Sequence, residues 1–368
     1  MRISVPYRRW RIMFKSTLSV NSYGPDFSGE DNDILNLRWT SDERELLDSD
    51  IIDILNDAII KSINSKENFL IKYPVEDPYA SRALVSSAAE YFDCDFSPEQ
   101  VYAGSGVSGL LFSLSLMPVK GVAFMQGAYL DLPSWVFKRG IPLYQVEFDD
   151  FFNKNEWDMI FIENPPLLNQ SGYGVEKISQ LCEHLKNDDC YIVVDESYAN
   201  YLTPAMSCVS LLNRYDKLIV LRGFSKGYGM GSLRLGVMFA ARNTGLLPSR
   251  ILPPLSVSPM SILCGKTLWH MGDITKKLRE TIVARKQQFM DIINAKNITG
   301  IFFGNNAIPY VFINEPTTIS MLENVGIFGK QHFFINLNGA DYIYRLSVPL
   351  CRHRFDQFIT RINKATIK

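Results

Sequence analysis

From about residue 70 to residue 240 the chain alternates short apolar runs with stretches of helical periodicity, which narrows the architectures open to it. Short strands separated by helices are the pattern of an α/β parallel sheet. The runs are Val101–Ala103, Gly121–Met125, Pro142–Val146, Met159–Ile162, Tyr191–Val194, Leu218–Leu221 and Leu235–Ala240. Several are apolar at consecutive rather than alternate positions, as expected of strands covered on both faces. Tyr79–Phe92, Val107–Leu116, Leu132–Arg139 and Val175–Leu185 fill the gaps as helices. In the first of these, Ala80, Ala83, Leu84, Ser87 and Tyr91 share one stripe.

Pro248, Pro253, Pro254 and Pro259 then punctuate the chain like a linker. Beyond them Gly265–Lys296 reads as one long helix, with Leu268, Met271, Ile274, Leu278, Ile282, Phe289 and Ile293 on one face. Strands are expected near Ile301–Phe303, Pro309–Ile313, His332–Ile335 and Ile343–Val348, and a closing helix after His353. The whole reads as an α/β chain: an N-terminal arm (1–48) packing with a small α+β domain (251–368), and a large domain (49–250) between them. Two domains suit 368 residues, since domains usually hold about 100–150.

A net charge of -1 leaves no basic footprint for nucleic acid, so a small-molecule partner is expected. The six cysteines are scattered without a CxxC pair and the four histidines stand alone. That fits a reducing, cytoplasmic setting and no metal. No apolar run approaches the ~18–20 residues that cross a bilayer. The basic start (Arg2, Arg8, Arg9, Arg11, Lys15) lacks the apolar core of a secretory signal and is expected to be an irregular arm.

Chemistry concentrates in Arg222–Gly236, RGFSKGYGMGSLRLG, where Ser225-Lys226 follows an apolar strand and Arg234 lies eight residues on. A Ser-Lys pair alone carries little information; its surroundings carry more. Asp195 closes the run Tyr191–Val194, at the strand end where open α/β sheets bind ligands. Tyr198 follows three residues later. Gly104-Ser105-Gly106 lies between a strand and a helical run, and Tyr129 soon follows another strand. Pyridoxal 5'-phosphate (PLP) chemistry needs these types together: a lysine amine, a carboxylate keeping the pyridine nitrogen protonated, and a phosphate cradle at a helix N-terminus with an arginine. A tyrosine ring can stack on the pyridine.

In order and spacing these motifs resemble the class I/II aminotransferases of PLP fold type I, most closely the histidinol-phosphate aminotransferase branch. The resemblance runs from about Asp33 to the end. It implies a large domain with a seven-stranded, mostly parallel sheet, and it implies a homodimer. Lys226 would carry PLP as a Schiff base, Asp195 would meet the ring nitrogen and Tyr198 the 3'-oxygen. Gly104, Ser105, Gly106, Ser225 and Arg234 would hold the phosphate, and Tyr129 would stack on the ring. Tyr73 of Tyr73-Pro74 would reach the neighbouring subunit's phosphate. Arg345, within Tyr344-Arg345-Leu-Ser-Val, would clamp the substrate α-carboxylate as a planar fork. The family's Asn-Pro-Thr-Gly turn appears as Asn169-Gln-Ser-Gly172, preceded by Glu163-Asn164-Pro165-Pro166. Asn169 is assigned the 3'-oxygen contact by its spacing to Gly172, with Asn164 as the alternative. Gly223 stands where a phosphate-binding Ser or Thr is usual. The substrate-covering segment, Leu37-Arg38-Trp39-Thr40-Ser41, is unusual and puts Trp39 at the pocket.

Fold and cofactor do not fix the reaction. Arg345 argues for an amino-acid substrate with a free α-carboxylate. Transamination is expected, and the unusual pocket keeps open decarboxylation, or elimination with cyclisation as in capreomycidine synthase.

Overall fold

A computed structural model describes residues 34–65, 71, 73–125, 127–153, 157–169, 172–244, 247–336 and 339–365. The basic start of the chain, and Gln170 and Ser171, lie outside them. In chain order the strands are β1 (Leu35–Asn36), β2 (Val101–Ser105), β3 (Val122–Met125), β4 (Leu143–Val146), β5 (Met159–Glu163), β6 (Tyr191–Asp195), β7 (Leu218–Gly223), β8 (Leu235–Ala240), β9 (Ile301–Phe303), β10 (Tyr310–Ile313), β11 (Ile327–Phe328), β12 (Lys330–Asn336) and β13 (Gly339–Ser347). Seven form one sheet in the order β2-β8-β7-β6-β5-β3-β4. All run parallel except β8, which is antiparallel to both neighbours.

The consecutive apolar residues of the central strands explain their position. Ile192, Val194, Leu218 and Val220 enter one apolar cluster, while Val193, Ile219 and Leu221 enter another. Side chains alternate across a strand, so these are its two faces, and both are buried. Burying each such side chain contributes about 1.5–3 kcal/mol. Helices Ser81–Phe92, Gly106–Leu114, Asp131–Lys138 and Gly174–His184 fall within two residues of the sequence-based expectation.

Beyond residue 250 one expectation fails. The single helix over Gly265–Lys296 is two helices, Pro259–His270 and Lys276–Ala295. Gly272 breaks the run at φ +69°. The Asp273 carboxylate then takes the Arg279 guanidinium at 2.7 Å and the Thr275 hydroxyl at 3.0 Å, fixing the corner. A hydrophobic stripe continues across the corner because both helices cover the same core, so periodicity alone conceals it.

Strands β9, β10, β12 and β13 make an antiparallel sheet in the order β12-β13-β10-β9. Residues 34–48 join this end of the molecule. β1 pairs parallel with β11, and the Ser347 N–H donates to the Leu37 carbonyl at 2.7 Å. The Asp42 carboxylate accepts from the N–H groups of Leu350 and Cys351 at 2.7 and 2.8 Å.

Candidate active site

Strands β2, β3, β5, β6 and β7 all end on one edge of the large sheet, and β8 starts there. A cleft opens on that edge. Of the residues singled out by sequence, Lys226, Asp195, Tyr198, Tyr129, Ser225, Arg234, Trp39 and Arg345 all line it.

Lys226 is held in place by a buried polar chain. Glu196 takes the Arg222 guanidinium at 3.1 Å, and Arg222 donates to Asn200 at 2.6 Å. The Asn200 amide in turn donates to the carbonyls of Gly223 (2.8 Å) and Lys226 (2.7 Å). The lysine loop can lie this close because Gly227 has φ +77°; a Cβ there would come within 2.6 Å of the Asn200 Cβ. From the N-terminal side, buried Glu43 accepts from the Tyr201 hydroxyl and from the Gly227 N–H. The Lys226 amine donates to the Tyr310 hydroxyl at 3.4 Å.

Asp195 accepts from the Ser197 N–H (2.9 Å) and hydroxyl (2.6 Å) on one carboxylate oxygen. Desolvation pushes it up to about 6 against those two bonds, with Glu196 and Asp131 adding to the rise. Arg345 is buried, with its guanidinium 4.2 Å from the Tyr310 ring centre and one N–H donated to the Arg38 carbonyl at 3.2 Å. Trp39 has three cations about its ring, the Lys330 amine at 3.9 Å, the Lys226 amine at 5.7 Å and the Arg345 guanidinium at 6.0 Å.

At the phosphate end, helix Gly106–Leu114 points its N-terminus at the cleft, where Val107 and Ser108 line it beside Ser225 and Arg234. Gly106, at φ +72°, leaves room for Arg234; a Cβ would sit 2.8 Å from the guanidinium. Gly104, Ser105 and Gly106 shape this turn without lining the cleft, and the Ser105 hydroxyl donates to the Ser256 carbonyl. Gly223 does line it, and a Cβ there would press on Val107 at 2.9 Å.

Three assigned residues stand elsewhere or apart. Asn169 is exposed and donates to the Tyr173 hydroxyl at 2.9 Å, bordering a neighbouring cavity. Asn164 is buried and donates to Glu196 at 3.2 Å. Tyr73 is 81% exposed in the single chain.

The cleft also contains residues that sequence reasoning passed over: Glu163, Ser197, Lys330 and His332, with Tyr310 beside Lys226. Glu163 carried a signal, since an acid closes its strand just as Asp195 closes the next. Lys330, His332 and Tyr310 carried none: Lys330 and His332 share a local hairpin with Arg345, and only the placing of the β12-β13-β10-β9 sheet beside the large sheet brings them and Tyr310 here. Burial first, then Arg345 and Lys330, push the His332 imidazole well below its ordinary range, so it is neutral at pH 7.

Two buried nitrogens at the cleft, His332 Nε2 and Arg345 Nε, have no hydrogen-bond partner among the described residues. Buried donors are normally satisfied, so unpaired ones at a cleft point to a polar ligand. An amine, a carboxylate, an aromatic plate and a helix N-terminus with an arginine match the separate parts of PLP. The residues present fit that cofactor.

The family model for aminotransferase class I and II matches residues 76–327. Histidinol-phosphate aminotransferase from Thermotoga neapolitana is 24% identical over 256 residues, covering 66% of this chain and 72% of that one. Among solved structures, the histidinol-phosphate aminotransferase of Clostridium acetobutylicum superposes with a TM-score of 0.69 at 16% identity, over 90% of this chain and 98% of the other. The L-threonine-O-3-phosphate decarboxylase of Porphyromonas gingivalis gives 0.67 at 16%, with the same coverage. The chain belongs to the class I and II aminotransferases, PLP-dependent enzymes of fold type I.

Proposed function

We propose that this enzyme transaminates an amino acid bearing a free α-carboxylate, with Lys226 as the residue that attaches the cofactor. The observation that carries this reading is Arg345: buried, packed on Tyr310, and with Nε lacking a partner among the described residues. Such a guanidinium in the cleft calls for a planar anion, and a carboxylate answers it with two parallel bonds.

PLP, when bound, supplies an electron-withdrawing ring that stabilises negative charge at the substrate α-carbon. Lys226 holds the cofactor and then moves a proton at that carbon, its amine steadied by the Tyr310 hydroxyl. Asp195 keeps the pyridine nitrogen protonated. Tyr198 donates to the 3'-oxygen, a role for which neither Asn169 nor Asn164 lines the cleft. Tyr129 stacks on the ring. The N-terminus of helix Gly106–Leu114 (entered through Gly104, Ser105 and Gly106), with Ser225 and Arg234, holds the phosphate. Trp39 walls the substrate side and excludes water.

The described residues 34–48 of an N-terminal arm (1–48), together with a small domain (251–368), cover the site carried by the large domain (49–250). The active unit is a homodimer in which exposed Tyr73 reaches the partner's phosphate site. All six cysteines are unpaired, which fits the reducing cytoplasm. No helix among the described residues is long and apolar enough to cross a membrane.

Incubation with PLP, a panel of amino acids and a keto-acid acceptor, with mass analysis of products, tests the reaction. A keto acid from the donor is expected. Carbon dioxide release, or a product that has eliminated or cyclised, overturns transamination.

A further inference from the structure

Glu163 ends β5 and Asp195 ends β6, and the two are register partners across parallel strands. Residues opposite each other in this way project from the same face of a sheet. Both border the cleft. Each accepts local donors: Glu163 from the Tyr129 N–H at 2.9 Å and the Leu167 backbone, Asp195 from Ser197. Neither forms a salt bridge with a cation among the described residues. Two adjoining carboxylates without an intervening cation are costly to ionise together.

We propose that Glu163 and Asp195 form a carboxyl pair holding one proton, carried on Glu163, so that the cleft offers the cofactor ring both an anion and a neutral hydrogen-bond donor. This rests on the reading of Asp195 as the carboxylate that meets the ring nitrogen.

The two members are not equivalent. Asp195 keeps two donors on one oxygen and ionises first, while Glu163 is still neutral. Glu163, half-buried at the cleft wall, is pushed up to about 8 by desolvation and then by the negative charge of Asp195. Other groups face the pair from all sides. Asp131 adds negative charge from the helix after β3, and Tyr198 stands nearby in the cleft. Lys226 and, from β12 and β13, Lys330, His332 and Arg345 line the same space. Glu147 borders the cavity on the far side of Glu163.

Infrared titration of the full chain without cofactor reads protonated carboxyl groups directly. A protonated-carboxyl signal lost near pH 8 in the parent and missing in Glu163→Gln is expected. Asp195→Asn removes the like charge and should lower that midpoint by about one unit or more. Thermal melting gives an independent reading. Between Glu163's ordinary value of 4.5 and about 8, the folded protein holds a proton that the unfolded chain has released. Stability therefore falls as pH rises through that window, and Glu163→Gln should flatten the fall by roughly 2 °C or more in Tm.

A carboxyl signal that persists in Glu163→Gln, or a midpoint that Asp195→Asn leaves in place, overturns the pair. Added PLP then tests its placement: bound-cofactor absorbance should show a step near pH 8 in the parent that Glu163→Gln lacks. A step common to both overturns the contact with the ring. If the apoprotein signals appear but the parent binds no PLP, it is the cofactor reading of this cleft that fails, not the pair.

Discussion

On the large-sheet side of the cleft, Asp195 and Glu163 close strands and Lys226 follows one by three residues. On the opposite side, Lys330, His332 and Arg345 come from one hairpin near the end of the chain and Trp39 from near its start; Arg38 and Arg345, which share a hydrogen bond, are 307 residues apart. The first wall is fixed by short-range geometry, backed by the buried Glu196–Arg222–Asn200 chain. The second exists only once β1, β10, β12 and β13 have come together. The difference divides the labour. On the proposed assignment, cofactor chemistry stands where the backbone leaves least freedom, and substrate recognition stands where a few side chains from several elements can be exchanged separately.

The largest expected effect is on the first wall. Lys226→Ala should lower turnover by about 10⁴-fold, the upper range for losing a positioned acid–base group. It should also abolish borohydride fixation of the cofactor. Fixation on another lysine would show that this wall has been assigned to the wrong residue. Next comes the support beneath it. Arg222→Ala leaves Glu196 charged and buried, and breaking such a pair costs about 3–5 kcal/mol. Urea denaturation should show that loss; a stability near the parent's would mean the wall does not depend on the buried chain.

The second wall should respond in affinity rather than in assembly. Arg345→Ala should cost ~2–5 kcal/mol of substrate binding, roughly 30-fold or more in kcat/KM, while PLP stays bound. Arg345→Lys should recover little, because a point charge does not reproduce the fork. Parental kinetics in Arg345→Ala would place the substrate's anion elsewhere. The smallest effect belongs to Trp39. Its ring lies against three cations, Lys330, Lys226 and Arg345, and a contact of that kind reached by solvent contributes about 0.5–1 kcal/mol. Trp39→Ala should raise KM a few-fold with kcat little altered, and a collapse of kcat instead would put Trp39 on the chemical side.

The same division governs what the sequence reveals. Strand ends are legible because buried parallel strands read as apolar runs and the residue after each is placed by the backbone. Asp195 and Lys226 could be found in that way, Arg234 by its spacing from Lys226, and Glu163 could have been. His332 and Lys330 could not: β12 and β13 form a local hairpin, but it faces the cleft only once β13 has paired with β10 and the hairpin lies beside Trp39, and neither residue breaks a local pattern. Arg345 was legible only through resemblance. Asn169 fitted by spacing, yet its amide is engaged with Tyr173 outside the cleft; spacing along a loop does not fix where the loop folds. The corner at Gly272 escaped because two helices covering one core keep a common apolar stripe.

The pairing of residues 35–42 with residues 327–351 also sets an order in time. At about 5–20 residues per second of synthesis, the partners of Trp39 emerge roughly 15–60 s after it. The seven-stranded sheet, complete by Ala240, can form on the ribosome during that interval with its lysine already placed. The arm must wait unpaired for β11 and β13. On the proposed reading, activity is then the last property a nascent chain acquires, and one interrupted before residue 345 would carry Lys226 and Asp195 without the guanidinium proposed to hold the substrate.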